Sequence, residues 1–294
     1  MDVVIGQAFA GVSQGSILLL IALGLALTFG QMGVINMAHG EFIMAGAYTT
    51  FVLQQVFSGV GLSFVLAIPI GFLIGGILGV ILEGTLIRRM YDRPLDTLLV
   101  TWGVSLVLQQ LARNIFGAPN VDVAAPTWLQ GGVSIFGVGI PSARIFILVL
   151  SIACVAALAA LIKYTSLGRR VRAVVANRDL AETVGISTRS VDRLTFFIGS
   201  GLAGVAGVAL TLLGSIGPTL GTSYIVDAFL VVVVGGIGQI RGAVIAAFAL
   251  GLMSSFFQYT TTASMAKVLV FVAIVIFLQF RPQGIVSVRT RGLA

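Results

Sequence analysis

Charged residues are scarce in this sequence: of 294 residues only 9% are Asp, Glu, Lys or Arg, and only Lys163 and Lys267 are lysines. Histidine and cysteine occur once each, as His39 and Cys154. One cysteine excludes a disulfide framework or Cys-rich metal site within a single chain, and its apolar helical setting reads as a buried, inert thiol. One histidine excludes the two-histidine motifs of metalloproteases, and no GxSxG nucleophile turn stands beside it. An intramembrane hydrolase that pairs His39 with a distant serine is left open by spacing alone. Neither lysine lies in a GxxxxGK[ST] loop, so any ATP use must come from another polypeptide. No cofactor or metal is expected. A proton relay would have only His39, Glu41, Glu83 and Asp227 as parts, and Glu83 reads better as an ion-pair partner of Arg88.

Apolar residues make up 58% of the chain and mean hydropathy is +1.10, far outside the range of soluble domains. Several runs reach the ~20 residues a helix needs to cross a bilayer, and the alternation of a β-barrel is absent. The fold class is therefore all-α, a polytopic membrane helical bundle forming one domain over residues 1–294. Apolar segments are expected near 7–30, 42–57, 62–87, 97–115, 144–162, 194–213, 227–234, 243–257 and 266–280, giving eight or nine membrane segments. The amino terminus lacks a basic region before its apolar run and reads as the first segment rather than a cleaved signal. Fourteen of the seventeen basic residues gather in 88–96, 163–193, Arg241 and the carboxyl-terminal tail. Such asymmetry puts those segments in the cytoplasm, with the amino terminus and the 116–142 loop outside. The net charge of +7 thus records topology, and no nucleic-acid partner is expected.

Two helices carry small residues at four-residue spacing, Gly71, Gly75 and Gly79 in one and Gly199, Ala203 and Gly207 in the other, the pattern that lets membrane helices approach closely. The stretch GVINMAHGEFIMAGA, residues 33–47, sets polar Asn36, His39 and Glu41 between two apolar runs. Intramembrane polar groups of this kind face a protein interior or a solute path. A shift of 202 residues aligns it with GGIGQIRGAVIAAFA, so His39 falls on Arg241 and Gln239 enters the same pattern. The echo predicts two Gly-interrupted, discontinuous helices whose free amino-terminal donors build a translocation site. Asn36 serves either as the cap of a helix opening at Met37 or as a solute contact. His39 and Glu41 then lie on the cytoplasm-side rim of the break. Polar Thr101, Gln109 and Gln110 in an otherwise apolar span join the candidate pathway.

Residues 163–193 form the one long polar stretch. Within it, Val174, Ala181 and Val184 can share the face of a short helix that Gly185 stops. That small, shallow face suits docking in a partner's groove; the alternatives are a solvated basic loop or one resting on anionic lipid headgroups.

GxxNMAHGE after the first helix, Arg172-Ala173-Val174 through Gly185-Ile186 in the central loop, and GGIGQIRG before an apolar helix together resemble the inner-membrane permease subunits of ABC importers for branched-chain amino acids. The resemblance covers nearly the whole chain. The stretches GQMGVINMAHGEFIMAGAYTT, YDRPLDTLLVTWGVSLVLQQLAR and FGAPNVDV look like the urea-type branch. The resemblance implies a second permease subunit, two cytoplasmic ATPases and a periplasmic solute-binding protein as partners, with membrane lipid around them. It also implies that Arg172, Asn177, Ala181, Glu182 and Gly185 belong to the ATPase-coupling element. The loop departs from the Glu-Ala-Ala start common in related importers, since Glu182 follows Ala181 and precedes Thr183. On this basis the expected solute is urea or a related small amide, moved by alternating access along Asn36, Thr101, Gln109, Gln110 and Gln239. The alternatives are a branched-chain amino acid, whose ammonium would face an acidic residue such as Glu41 and whose carboxylate would face half-helix amino termini, and a stand-alone channel.

Overall fold

A computed structural model describes residues 2–286 apart from 92, 136 and 137. Eleven α-helices are found among them: α1 (Asp2–Met32), α2 (His39–Val56), α3 (Val60–Thr85), α4 (Pro94–Phe116), α5 (Ser142–Tyr164), α6 (Ser166–Ala176), α7 (Arg178–Thr183), α8 (Thr188–Leu210), α9 (Leu220–Gly235), α10 (Ile240–Thr260) and α11 (Ala263–Phe280). Seven of them, α1, α3, α4, α5, α8, α10 and α11, are long and apolar enough to cross a membrane. Helix α9, with 16 residues or about 24 Å, is short of a ~30 Å hydrocarbon core, and α2, with 18 residues, carries His39, Glu41, Gln54 and Gln55 and is less apolar than the seven. The chain is a polytopic helical bundle.

The bundle is built around α8, whose span is 78% buried. Its small residues make this burial possible on two faces. Toward α3 the chains approach so closely that a Cβ on Gly204 would stand 2.0 Å from the Gly71 carbonyl oxygen, which only glycine permits. Ser200 fits against Gly75 and Gly79 along the same seam. The other face, with Gly199, Ala203 and Gly207, lies against Gly24 and Thr28 of α1 and Ile43 of α2. Both predicted small-residue rows are therefore helix–helix contacts, the first against Ser200 and Gly204 of α8 and the second against α1 and α2.

The two ends of the bundle differ. One carries an antiparallel hairpin of β1 (Gly132–Ile135) and β2 (Val138–Pro141), with Trp128 ring-packed against Phe64 and Phe146. The opposite end carries α6 and α7, in the predicted 163–193 loop. Pro94 opens α4 at its first turn, where a missing N–H costs nothing, and does not itself stop α3. Helix α3 instead runs out at Thr85 and ends in a 3-10 turn over Ile87–Arg89.

Candidate functional site

Helix α1 ends at Met32 and the chain turns back into the bundle through Gly33, whose φ of +65° lies in the left-handed region glycine favours. The turn carries His39 to the middle of α1: its Nε2–H donates to the Ile21 carbonyl at 3.3 Å, and the ring abuts Gly24. These α1 residues lie eight to eleven positions before Met32, so α2 begins about 12–17 Å inside the bundle. His39, Glu41 and Asn36 are all buried there. This corrects the expected position on the cytoplasm-side rim.

Helix α2 opens at His39, two residues later than a cap at Asn36 would give, and its capping position is Ala38. The Asn36 side chain still serves the backbone, since its Oδ1 accepts from the Ala38 N–H at 3.0 Å, while its amide nitrogen is unpartnered. From α4, the Thr101 hydroxyl accepts from the Met37 N–H at 3.1 Å and donates to the Thr97 carbonyl at 2.7 Å. One turn and two turns further along α4, Ser105 and Gln109 donate to Glu41 Oε1 at 2.8 and 2.9 Å. Glu41 Oε2 has no partner. Thr97, Thr101, Ser105 and Gln109 fall at four-residue spacing, one buried polar stripe on a helix whose other faces are exposed.

The second half-helix is α9, which starts at Leu220, seven residues before the apolar segment expected at 227–234. Its amino terminus meets that of α2 so closely that a Cβ on Gly221 would lie 2.1 Å from the Gly40 carbonyl oxygen. Thr222 Oγ1 is 2.9 Å from Gln109 Nε2 and closes the cluster. Two short helices thus bring their first turns together inside the bundle, beside a buried carboxyl group. The positive ends of both helix dipoles lie there.

The 202-residue echo finds a real helix start but the wrong partner. Helix α10 opens at Ile240, yet Gly238 lies against Gly30 at the end of α1, and Gly236 and Gly238, at φ +101° and +76°, make a reversal between α9 and α10. Gln239 is half-buried at that end and caps α10 without a side-chain hydrogen bond. Gln110 is exposed on the far side of α4, bonded to Asn114 at 3.0 Å. The structure brings Asn36, His39, Glu41, Thr101 and Gln109 together and leaves Gln110 and Gln239 out. Ser105 and Thr222 were missed; the four-residue spacing of Ser105 from Thr101 and Gln109 was the signal available for the first.

At the opposite end, α6 and α7 are separate helices that meet at Asn177. Asn177 caps α7, its Oδ1 accepting from the Leu180 N–H at 2.9 Å, and Gly185 (φ +85°) ends the turn after it. Val174 and Ala181 pack with Val171 and Val191, whereas Val184, expected on the same face, is 68% exposed because α7 stops at Thr183. Arg172 donates to the Ile162 carbonyl, which holds α6 against α5, and Glu182 accepts from Thr188. Arg178 pairs with Asp192, a fully buried carboxylate that also accepts from Gln31 of α1 at 3.0 Å. Glu83 accepts from the Tyr91 hydroxyl at 2.8 Å and stands 4.0 Å from Arg193, so its ion-pair partner is Arg193 rather than the expected Arg88. Burial, the hydrogen bond to Glu83 and the charges of Asp192 and Glu83 hold the Tyr91 phenol well above its ordinary pKa, so it remains a donor.

Residues 7–278 match the family described as branched-chain amino acid transport system, permease component. The chain belongs to this family. It is 33% identical to the high-affinity branched-chain amino acid transport system permease protein LivH of Salmonella typhimurium, over 96% of this chain and 94% of that one. It is also 32% identical to BraD of Pseudomonas aeruginosa, a protein of the same description, over 96% and 95% of the two chains. A more distant likeness, 27% over 82% of this chain and 74% of the other, is to the ribose import permease protein RbsC of Haemophilus influenzae. No solved structure matches. Family membership makes the chain a transport permease component and a multi-pass membrane protein.

Proposed function

We propose that this permease component carries a branched-chain amino acid, or a closely similar zwitterion, inward across the cytoplasmic membrane of a bacterium as part of an ATP-driven importer. The observation that carries the reading is the meeting of the α2 and α9 amino termini beside Glu41. A zwitterion needs a negative group for its ammonium and a positive one for its carboxylate; Glu41 supplies the first and the paired helix ends the second. The amino-acid relatives, aligned over nearly their full length, support the same solute class.

Urea, the solute favoured by the urea-like stretches, remains as a second reading on one observation: Ser105, Gln109 and Thr222 are neutral hydrogen-bonding groups of the kind an amide would use. It leaves the buried carboxyl group without a counter-charge to bind, and for that reason it ranks below the amino acid. The partners in this reading are a second permease subunit, two cytoplasmic ATPases docked at α6 and α7 through the exposed Arg172, Asn177, Glu182 and Gly185 with Ala181 packed beneath them, and a periplasmic solute-binding protein. The basic end then faces the cytoplasm and the hairpin end the outside. Uptake of labelled leucine and labelled urea in cells with and without the chain separates the readings. Loss of leucine uptake with urea uptake unchanged is expected; loss of urea uptake alone would reverse the assignment.

A further inference from the structure

A half-open cavity of about 600 Å³ lies on the hairpin side of the bundle, between α1, α5, α9 and α10, and none of the site residues described above lines it. Its walls are divided. Gln14, Gln258, Arg144 and Asp227 supply polar groups, and Leu18 and Leu213 supply an apolar side. Two opposite charges therefore border one space: Arg144 from the first turn of α5, and Asp227, seven residues beyond the start of α9. Among the described residues neither takes part in an ion pair. Lys267 of α11 borders a smaller adjoining space behind Asp227.

An acidic side chain in a membrane helix is expensive, so its placement on a cavity marks a solute or ion path more often than a structural detail. A neutral solute has no use for two opposite charges that border one space and form no ion pair with each other, Lys267 standing on the other side of Asp227. An α-amino acid with an aliphatic side chain matches all three features of the wall, the anion, the cation and the apolar patch. Helix α9 also links this space to the deeper site. Thr222 points toward Gln109 and the Glu41 cluster, while Tyr224 and Asp227 line the cavity, so the first two turns of α9 are the partition between them.

We propose that the cavity is a second solute site, a vestibule in which an α-amino acid lies with its ammonium at Asp227, its carboxylate at Arg144 and its side chain against Leu18 and Leu213. The inference rests on the amino-acid reading above. A solute held there needs only a displacement of the α9 amino terminus to reach Glu41.

The test is protection from a membrane-impermeant thiol reagent in intact cells that carry the whole importer. The cysteine is placed at Gln14→Cys and, independently, at Gln258→Cys, each in a Cys154→Ala background, so that one poorly folding variant leaves the other. Leucine should slow modification at both positions, and urea should not. Adding Asp227→Asn should weaken leucine protection about tenfold or more, the loss of one charge-assisted hydrogen bond, while Asp227→Glu retains it. Cells that take up leucine without any protection at either position would overturn the vestibule, as would equal protection by urea. Leucine uptake, measured on the same cells, reports separately on the transport reading: its absence, with urea uptake present, removes the amino acid from both sites.

Discussion

Glu41 accepts two hydrogen bonds from α4 with one carboxyl oxygen and leaves the other free, in a setting with almost no exposure. Replacing it by glutamine keeps the shape and exchanges one acceptor oxygen for a donor. Under the zwitterion account Glu41→Gln raises the half-saturation concentration for leucine uptake about tenfold or more, because the ammonium loses its counter-charge. Wild-type half-saturation in Glu41→Gln, measured at equal membrane abundance, would mean that Glu41 only ties α2 to α4. The polarity of this residue, Asn36 and His39 was legible because the flanking apolar runs carry no charged residue. Their depth was not, because a six-residue link can run out toward water or back into the bundle with the same composition. Gln109 and Gln110 illustrate the same limit: adjacent on a helix, they point about 100° apart, so one is buried against Glu41 and the other exposed beside Asn114.

Among the elements, α8 was the most legible and α9 the least. Small residues at four-residue spacing have one cheap use in a membrane helix, and α8 uses them on both faces. Gly204→Ala would set a Cβ against the Gly71 carbonyl and force α3 away, at a cost of about 1–3 kcal/mol. The purified chain should melt several degrees lower than wild type, and an unchanged melting temperature would show the seam to be slack. Helix α9 was hidden because Gly217, Pro218 and Gly221 read as turn residues, and its apolar run becomes continuous only after Asp227. Gly221 was in fact a contact residue, chosen for the approach to Gly40 rather than for a turn. The repeat misled for a related reason: Gly-Ile-rich helix starts recur wherever a membrane helix begins tightly, whether inside the bundle or at its end. In α6 and α7 a shared face was legible at Val174 and Ala181, but it packs inward on Val171 and Val191 instead of facing outward, and Val184 was lost because the helix breaks at Asn177 and restarts.

At the scale of the whole molecule, the basic end and the buried site are joined by continuous structure. Asp192 at the foot of α8 holds Arg178 of α7 and Gln31 of α1, and α8 then packs along α1, α2 and α3 past the half-helix junction. In the proposed importer, a pull on α7 would reach the helices that frame Glu41 through these contacts. Composition alone made the membrane bundle legible, since 58% apolar residues leave no soluble alternative. The solute was not legible, because the urea-like stretches and the amino-acid relatives point to different solutes for one chain.

The measurement that bears most directly on the account is leucine flux in liposomes containing this chain and its partner permease, with and without the ATPases and ATP. An ATP-driven permease predicts accumulation of leucine against its gradient only when the ATPases, ATP and the solute-binding protein are all present, and no flux from the permeases alone. Downhill leucine flux through the permeases without any ATPase would contradict it and identify a channel.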